Sequence, residues 1–149
     1  MTDLELDRDA EDDIAGEHKE LLQLLRLFRE LLDARDADSP ALTICVDKLA
    51  NVIEAHFRHE ERADGHFAEL LAVAPRVQHK IEALKDQHLG FLTALEGLRD
   101  SARSHSGTPH CWQAMQFQFE DFSVRFREHE RMENSLVQEV YERDLGNSD

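Results

Sequence analysis

Over residues 112–140, a side chain that falls on one common helix face recurs at every third or fourth position. The steps between these positions alternate between three and four, which is the period of an amphipathic α-helix that faces a core. The positions are Trp112, Met115, Phe119, Phe122, Phe126, His129, Glu133, Leu136 and Val140. The two polar members, His129 and Glu133, lie one helical turn apart. Because burying either group alone costs on the order of several kcal/mol, the rest of the chain must supply partners for them.

Three prolines indicate where further helices begin. Ser39-Pro40 and Thr108-Pro109 each combine an N-cap residue with a proline in the first helical position. A proline costs little there, because the N–H group that it lacks would have no partner inside the helix. Pro75 offers the same placement without a capping side chain before it. Helices are therefore expected to start near these three prolines.

Hydrophobic periodicity of 3.6 residues connects these starting points into four helices. The first helix is expected over about residues 13–37, and the second is expected to run from Pro40 through Phe67 with loosened last turns. No alternating strand pattern occurs in the sequence. The prediction is an all-α, up-down-up-down four-helix bundle over residues 13–146, preceded by an acidic, flexible tail at residues 1–12.

The composition limits the classes of partner. The 149 residues suffice for one domain, and the net charge of -15 opposes binding to nucleic acid or to an anionic membrane surface. No apolar run approaches the roughly 20 residues of a membrane span, and the acidic N-terminus is unlike a signal peptide. Cys45 and Cys111 lack the CxxC spacing of metal or redox motifs. A cytoplasmic protein is expected.

Each predicted helix carries one histidine on its apolar line, and the distances to the connecting turns agree. His18 and His56 each lie about 19 residues from the first turn, so at about 1.5 Å per residue they reach the same height. His88 and His129 lie at similar numbers of residues from the turns next to them, so they are expected at that height too. Two of these histidines also have a glutamate four residues later on the same face. The candidate metal ligands are His18, His56, Glu60, His88, His129 and Glu133.

Spacing alone would not support a metal site. Nine histidines and 17 glutamates give on the order of one His-x-x-x-Glu pair by chance. Two such pairs on apolar helix faces, level with two further histidines, are a stronger signal. Imidazole and carboxylate are good ligands for iron, manganese or zinc, and a bundle core is a common place for such a site. The alternative is a buried hydrogen-bonded network without metal.

Four segments together resemble the hemerythrin-like, or HHE cation-binding, domain. They are EHKELLQLL around His18, HFRHEER around His56, QHLGFLTAL around His88 and REHERMEN around His129. The resemblance covers the chain after the acidic tail and implies a non-haem di-iron centre in a four-helix bundle. The rival ferritin-like bundle uses Glu-x-x-His, and no histidine in this sequence has a glutamate three positions before it.

The third helix departs from the pattern of the oxygen-carrying hemerythrins. Those proteins place a second histidine one turn from the first, whereas Leu84 and Leu92 stand there in this sequence. The resulting four-His/two-Glu set is similar to that of hemerythrin-like proteins of iron–sulfur-centre repair and of iron-sensing hemerythrin domains. The resemblance implies two irons bridged by Glu60, Glu133 and an oxo or hydroxo group, with manganese or zinc as alternatives. Four side chains are expected to form a dry lining: Phe91, Leu92, Phe122 and Phe126.

The expected function is binding or sensing of a small ligand (O2 or NO) or of iron. One alternative is a di-iron enzyme in NO or peroxide detoxification or in iron–sulfur-centre repair. Another is a zinc-bound or metal-free helical interaction module. The residues are common to the first two, so the sequence does not decide whether the protein is an enzyme. The expected partner is O2, NO or peroxide, and the oligomeric state is left open.

Overall fold

The computed structural model describes residues 3–146, with side chains described for residues 18–142. Within that range the chain forms five α-helices and one 3-10 turn, and no strand. The helices are α1 (Asp3–Ala34), α2 (Ala41–Glu61), α3 (His66–Val73), α4 (Gln78–Ser104) and α5 (Pro109–Gly146). None of them combines the length and apolar character needed to cross a membrane. The expected all-α class is confirmed.

Helices begin near all three prolines as predicted, but α2 begins at Ala41 with Pro40 as its N-cap, so Pro40 is not in the first helical position. Ser39 Oγ accepts a hydrogen bond from the N–H of Ala41 at 3.2 Å, so it satisfies one of the unpaired donors of the first turn. Thr108 Oγ1 accepts one from the N–H of Cys111 at 3.3 Å in the same way. At Pro75 the chain first makes the 3-10 turn Pro75–Val77 and then enters α4.

Two of the predicted helices differ from the prediction in their bounds. The helix α1 begins at Asp3 and ends at Ala34, not near residues 13 and 37. The expected flexibility of residues 1–12 stays a prediction, and residues 1, 2 and 147–149 lie outside the described part. The second predicted helix is divided in two, because α2 ends at Glu61 and α3 begins at His66.

The close packing of Gly65 accounts for that division. A Cβ atom at this position would lie 2.2 Å from the backbone oxygen of His59. Only a residue without a side chain permits so close an approach. Arg62 has extended backbone angles, and the Gly65 N–H donates to the Arg62 carbonyl oxygen at 2.9 Å. The chain therefore makes a tight turn over residues 62–65, and Phe67 belongs to a separate helix.

The four long helices surround one interior. The helix α1 contacts α2 and α5, while α4 contacts α2 and α5. The short helix α3 packs against α2 and α5. Since consecutive long helices are neighbours, the described chain is a helical bundle.

The buried apolar side chains form two clusters. The larger cluster includes Phe28, Leu49, Phe57, Phe91, Phe119 and Phe126. The smaller cluster consists of Phe67, Leu70, Ala74, Val77, Ile81, Leu84, Leu136 and Val140. Along α4, His88 follows Leu84 of the smaller cluster and precedes Phe91 of the larger one. Along α5, His129 and Glu133 lie between Phe126 and Leu136. A layer of polar side chains, which includes His88, His129 and Glu133, therefore separates the two apolar clusters. We call it the polar layer.

The two cysteines are free and differ in environment. Burial raises the pKa of the Cys45 thiol to about 11. Hydrogen bonds from Ser106 and Thr108 lower the pKa of the partly exposed Cys111 thiol to about 7. At pH 7 a much larger fraction of Cys111 than of Cys45 is therefore thiolate.

We expect iodoacetamide at pH 7 to alkylate Cys111 at least about tenfold faster than Cys45, because the thiolate is the nucleophile. Peptide mass spectrometry over a time course measures both rates in the same sample. Cys111→Ser should abolish the fast phase, and Cys45→Ser should leave it unchanged. Similar rates at the two cysteines would contradict the assignment.

Candidate metal centre

The structure brings all six predicted ligand side chains into the polar layer. His18 comes from α1, His56 and Glu60 from α2, His88 from α4, and His129 and Glu133 from α5. Five of them are buried, and the His18 side chain is 34% exposed. The heights counted from the helix connections therefore place the four histidines correctly, including the one nearest to solvent.

The donor atoms lie a few ångström apart. His56 Nε2 is 3.1 Å from Glu60 Oε1, and His88 Nε2 is 3.8 Å from that same oxygen. His129 Nε2 is 3.8 Å from Glu133 Oε2. Two atoms bound to the same metal ion lie roughly 3 to 4 Å apart, because each metal–ligand bond is about 2 Å long. The donor atoms of each pair are therefore close enough together to bind one cation.

Among the residues whose side chains are described, three groups of donors have atoms that all lie within 4.8 Å of one another. We call His18, His56 and Glu130 the outer group, because His18 is partly exposed. We call Glu60, His88 and His129 the inner group, since all three are buried. A third group consists of His56, Glu60 and Glu133, so it shares one member with each of the other two. The three groups are linked, because His56 and Glu60 each belong to two of them.

Glu130 was missed by the sequence prediction. It lies one position beyond His129, off the line of α5 that the apolar spacing defines. Its side chain is nevertheless only 13% exposed, and Oε2 contacts His18 Nε2. A helix in a bundle touches two neighbours and buries a wider arc than one line of residues. Glu130 lies four residues after the buried Phe126, and this spacing was the available sequence signal for the burial of Glu130.

Burial keeps the inner histidines neutral. It lowers the pKa of His88 to about 3, and any positive charge on His129, His56 or Lys85 acts in the same direction. It lowers the pKa of His129 to about 4, with His56 adding to the effect. Both imidazoles are therefore unprotonated at neutral pH, which is the form that binds a metal ion.

Several buried polar atoms of the layer have no hydrogen-bond partner in the described residues. They are Glu60 Oε1, both ring nitrogens of His88, His129 Nε2, both oxygens of Glu130 and Glu133 Oε1. Each such atom costs about 1–3 kcal/mol when it is left unsatisfied. The carboxylate oxygens only accept hydrogen bonds, and each neutral imidazole has a single N–H to donate, so acceptors outnumber donors and this set cannot satisfy all of its own members without an added proton or cation. The residues present therefore fit a bound cation, and the hydrogen-bonded network without metal is disfavoured.

Neighbouring side chains fix the orientation of the inner histidines. His129 Nδ1 lies 2.7 Å from Gln87 Oε1. A ring that donates its Nδ1–H to Gln87 presents the lone pair of Nε2 to the centre. Phe57 stacks on His88 with ring centroids 3.8 Å apart and an interplanar angle of 6°. Gln87 and Phe57 thus fix the rings of His129 and His88, respectively.

The predicted lining is present in part. The Phe91 ring lies 5.1 Å from that of His129, and the Phe126 ring lies 6.3 Å from it. Phe122 packs against these two phenylalanines at 5.8 Å. Leu92 is partly buried against the larger cluster. Phe57, which the prediction did not include, lies closer to the histidines, with its ring centroid 3.8 Å from that of His88.

Comparison with known proteins identifies the family. No curated protein and no solved structure matches the chain significantly. The family model described as the hemerythrin HHE cation binding domain matches residues 9–141, which include every residue of the polar layer. A match over nearly the whole chain implies cation binding. The chain belongs to the hemerythrin family, as a hemerythrin HHE cation-binding domain.

Proposed function

We propose that this protein binds two iron ions in the polar layer and uses them to bind or sense O2, NO or iron. In this proposal Glu60 and Glu133 bridge the two ions within an up-down-up-down bundle. His18, His56, His88 and His129 are terminal ligands. The observation that carries the proposal is the convergence of buried nitrogen and oxygen acceptors without hydrogen-bond partners.

The donor set is compatible with iron as the metal. Imidazole together with carboxylate suits iron, manganese and zinc, whereas purely oxygen sites favour magnesium or calcium. Neither free cysteine belongs to the donor groups found among the described residues. When bound, a pair of irons supplies coordination positions for a small molecule and can change oxidation state.

The surrounding residues control access to this centre. The aromatic rings of Phe57, Phe91 and Phe126 cover the inner histidines and exclude water from that side. On the outer side, His18 is partly exposed and offers the shorter route from solvent. An apolar wall with one polar approach suits a small, weakly polar ligand such as O2 or NO.

The test is metal analysis followed by spectroscopy. We expect protein purified anaerobically to contain about two irons per chain by elemental analysis. The ferrous protein should develop a new visible charge-transfer band when O2 or NO is added. A band that forms stoichiometrically and then stops indicates binding or sensing, while continued consumption of the gas with a reductant indicates an enzyme. Zinc or no metal, with an unchanged spectrum, would overturn the proposal in favour of an interaction module.

A further inference from the structure

We infer that Glu130 is a seventh protein ligand, bound terminally to the cation that His18 and His56 hold. This inference rests on the proposed function, because it assigns a further residue to the same centre. Glu130 Oε2 contacts His18 Nε2, and Oε1 lies 4.0 Å from His56 Nε2. The Glu130 carboxylate therefore has its two oxygens directed at the two histidines of the outer group.

The surroundings of Glu130 call for a cation. Both of its oxygens are buried, and neither has a hydrogen bond in the described residues, although Oε2 touches His18. An ionised carboxylate in such a place needs compensating positive charge. A divalent cation between Glu130, His18 and His56 would provide that charge and occupy the unsatisfied oxygens.

The position of Glu130 separates it from the bridging carboxylates. Glu60 belongs to a donor group with His56 and to another with His88 and His129. Glu130 belongs only to the outer group. It can therefore serve one cation but not both. A coordination position that Glu130 fills is closed to a small molecule at that cation.

The test compares Glu130→Gln with Glu128→Gln. Glu128 lies on the same helix and flanks His129, but its side chain is 59% exposed and pairs with Arg131. The proteins are titrated anaerobically with Fe2+ against a competing chelator, and bound iron per chain is measured. We expect the affinity for one of the two irons to fall about tenfold or more in Glu130→Gln, since loss of even an outer-shell partner costs 10–100-fold. The second iron should remain, and its retention reports that the bundle is folded. Glu128→Gln should match the wild type.

A second variant distinguishes a ligand from an ion-pair partner of His18. Glu130→His restores a metal donor but removes the negative charge. It should recover the second iron if Glu130 is a ligand, and recovery of two irons supports the inference even if Glu130→Gln loses both. Two irons of wild-type affinity in Glu130→Gln, or failure of Glu130→His to recover the lost iron, would overturn the inference while leaving the proposed function standing. No iron in the wild-type protein would overturn both.

Discussion

Replacing Glu60 by alanine is expected to reduce the metal content from two ions per chain to none. Glu60 Oε1 lies 3.1 Å from His56 Nε2 and 3.8 Å from His88 Nε2, so it faces histidines of both the outer and the inner group. Removing the carboxylate takes a ligand from each cation and leaves two positive ions close together without the shared negative charge. Elemental analysis of protein expressed and purified with iron present measures the outcome.

Matched variants show whether the effect is specific. Glu54 lies on the same helix, six residues earlier, and is exposed. Glu54→Ala should therefore keep both metals. Glu133→Ala should lose both, because Glu133 shares a donor group with His56 and Glu60 and lies 3.8 Å from His129. His79, exposed on α4, serves as the histidine control, and His79→Ala should lose neither metal. Equal metal content in Glu60→Ala and Glu54→Ala would rule out the bridging role.

The histidine layer could be predicted because it depends on counting. Helical periodicity assigns a residue to the apolar face, and a rise of about 1.5 Å per residue sets its height once the turns are known. His56, His88 and His129 follow from those two quantities, since prolines mark the turns. The face and height of a residue along its own helix do not depend on how closely any two helices approach.

The features that were missed depend on such approaches. Glu130 is buried because α1 brings His18 against the flank of α5, and spacing along α5 alone does not reveal this. The break between α2 and α3 depends on the contact between Gly65 and the backbone at His59, whereas the sequence shows only a tolerable helical glycine. The early start of α1 involves an acidic segment whose composition fits either a helix N-terminus or a tail.

The polar layer also separates two apolar clusters of unequal size. The larger cluster draws on α1, α2, α4 and α5, and it can hold those helices together without the metal. The smaller cluster packs α3 and the 3-10 turn against the start of α4 and the end of α5. Metal ions in the layer would tie this smaller cluster to the rest of the bundle. Their removal should therefore affect the two ends of the bundle unequally.

Removing the metal with a chelator is expected to lower the Tm by about 10 °C. A ligand present at a thousand times its Kd stabilises the native state by about 4 kcal/mol. A domain of this size changes its Tm by roughly 2–4 °C per kcal/mol. Differential scanning calorimetry with and without chelator measures the shift. Glu60→Ala, which is expected to hold no metal, should show the same Tm in both conditions.

Amide hydrogen exchange tests where that stability resides. After chelation, protection should fall most around Phe67 and Leu70 in α3 and around Val140 in α5, because these residues belong to the smaller cluster. Protection around Leu49 and Phe119 should fall less, since the larger cluster remains intact. An equal loss of protection at both ends would mean that the metal stabilises the bundle as one cooperative unit. An unchanged Tm would instead mean that the polar layer is stable without metal, so that its unsatisfied acceptors must find protons or water.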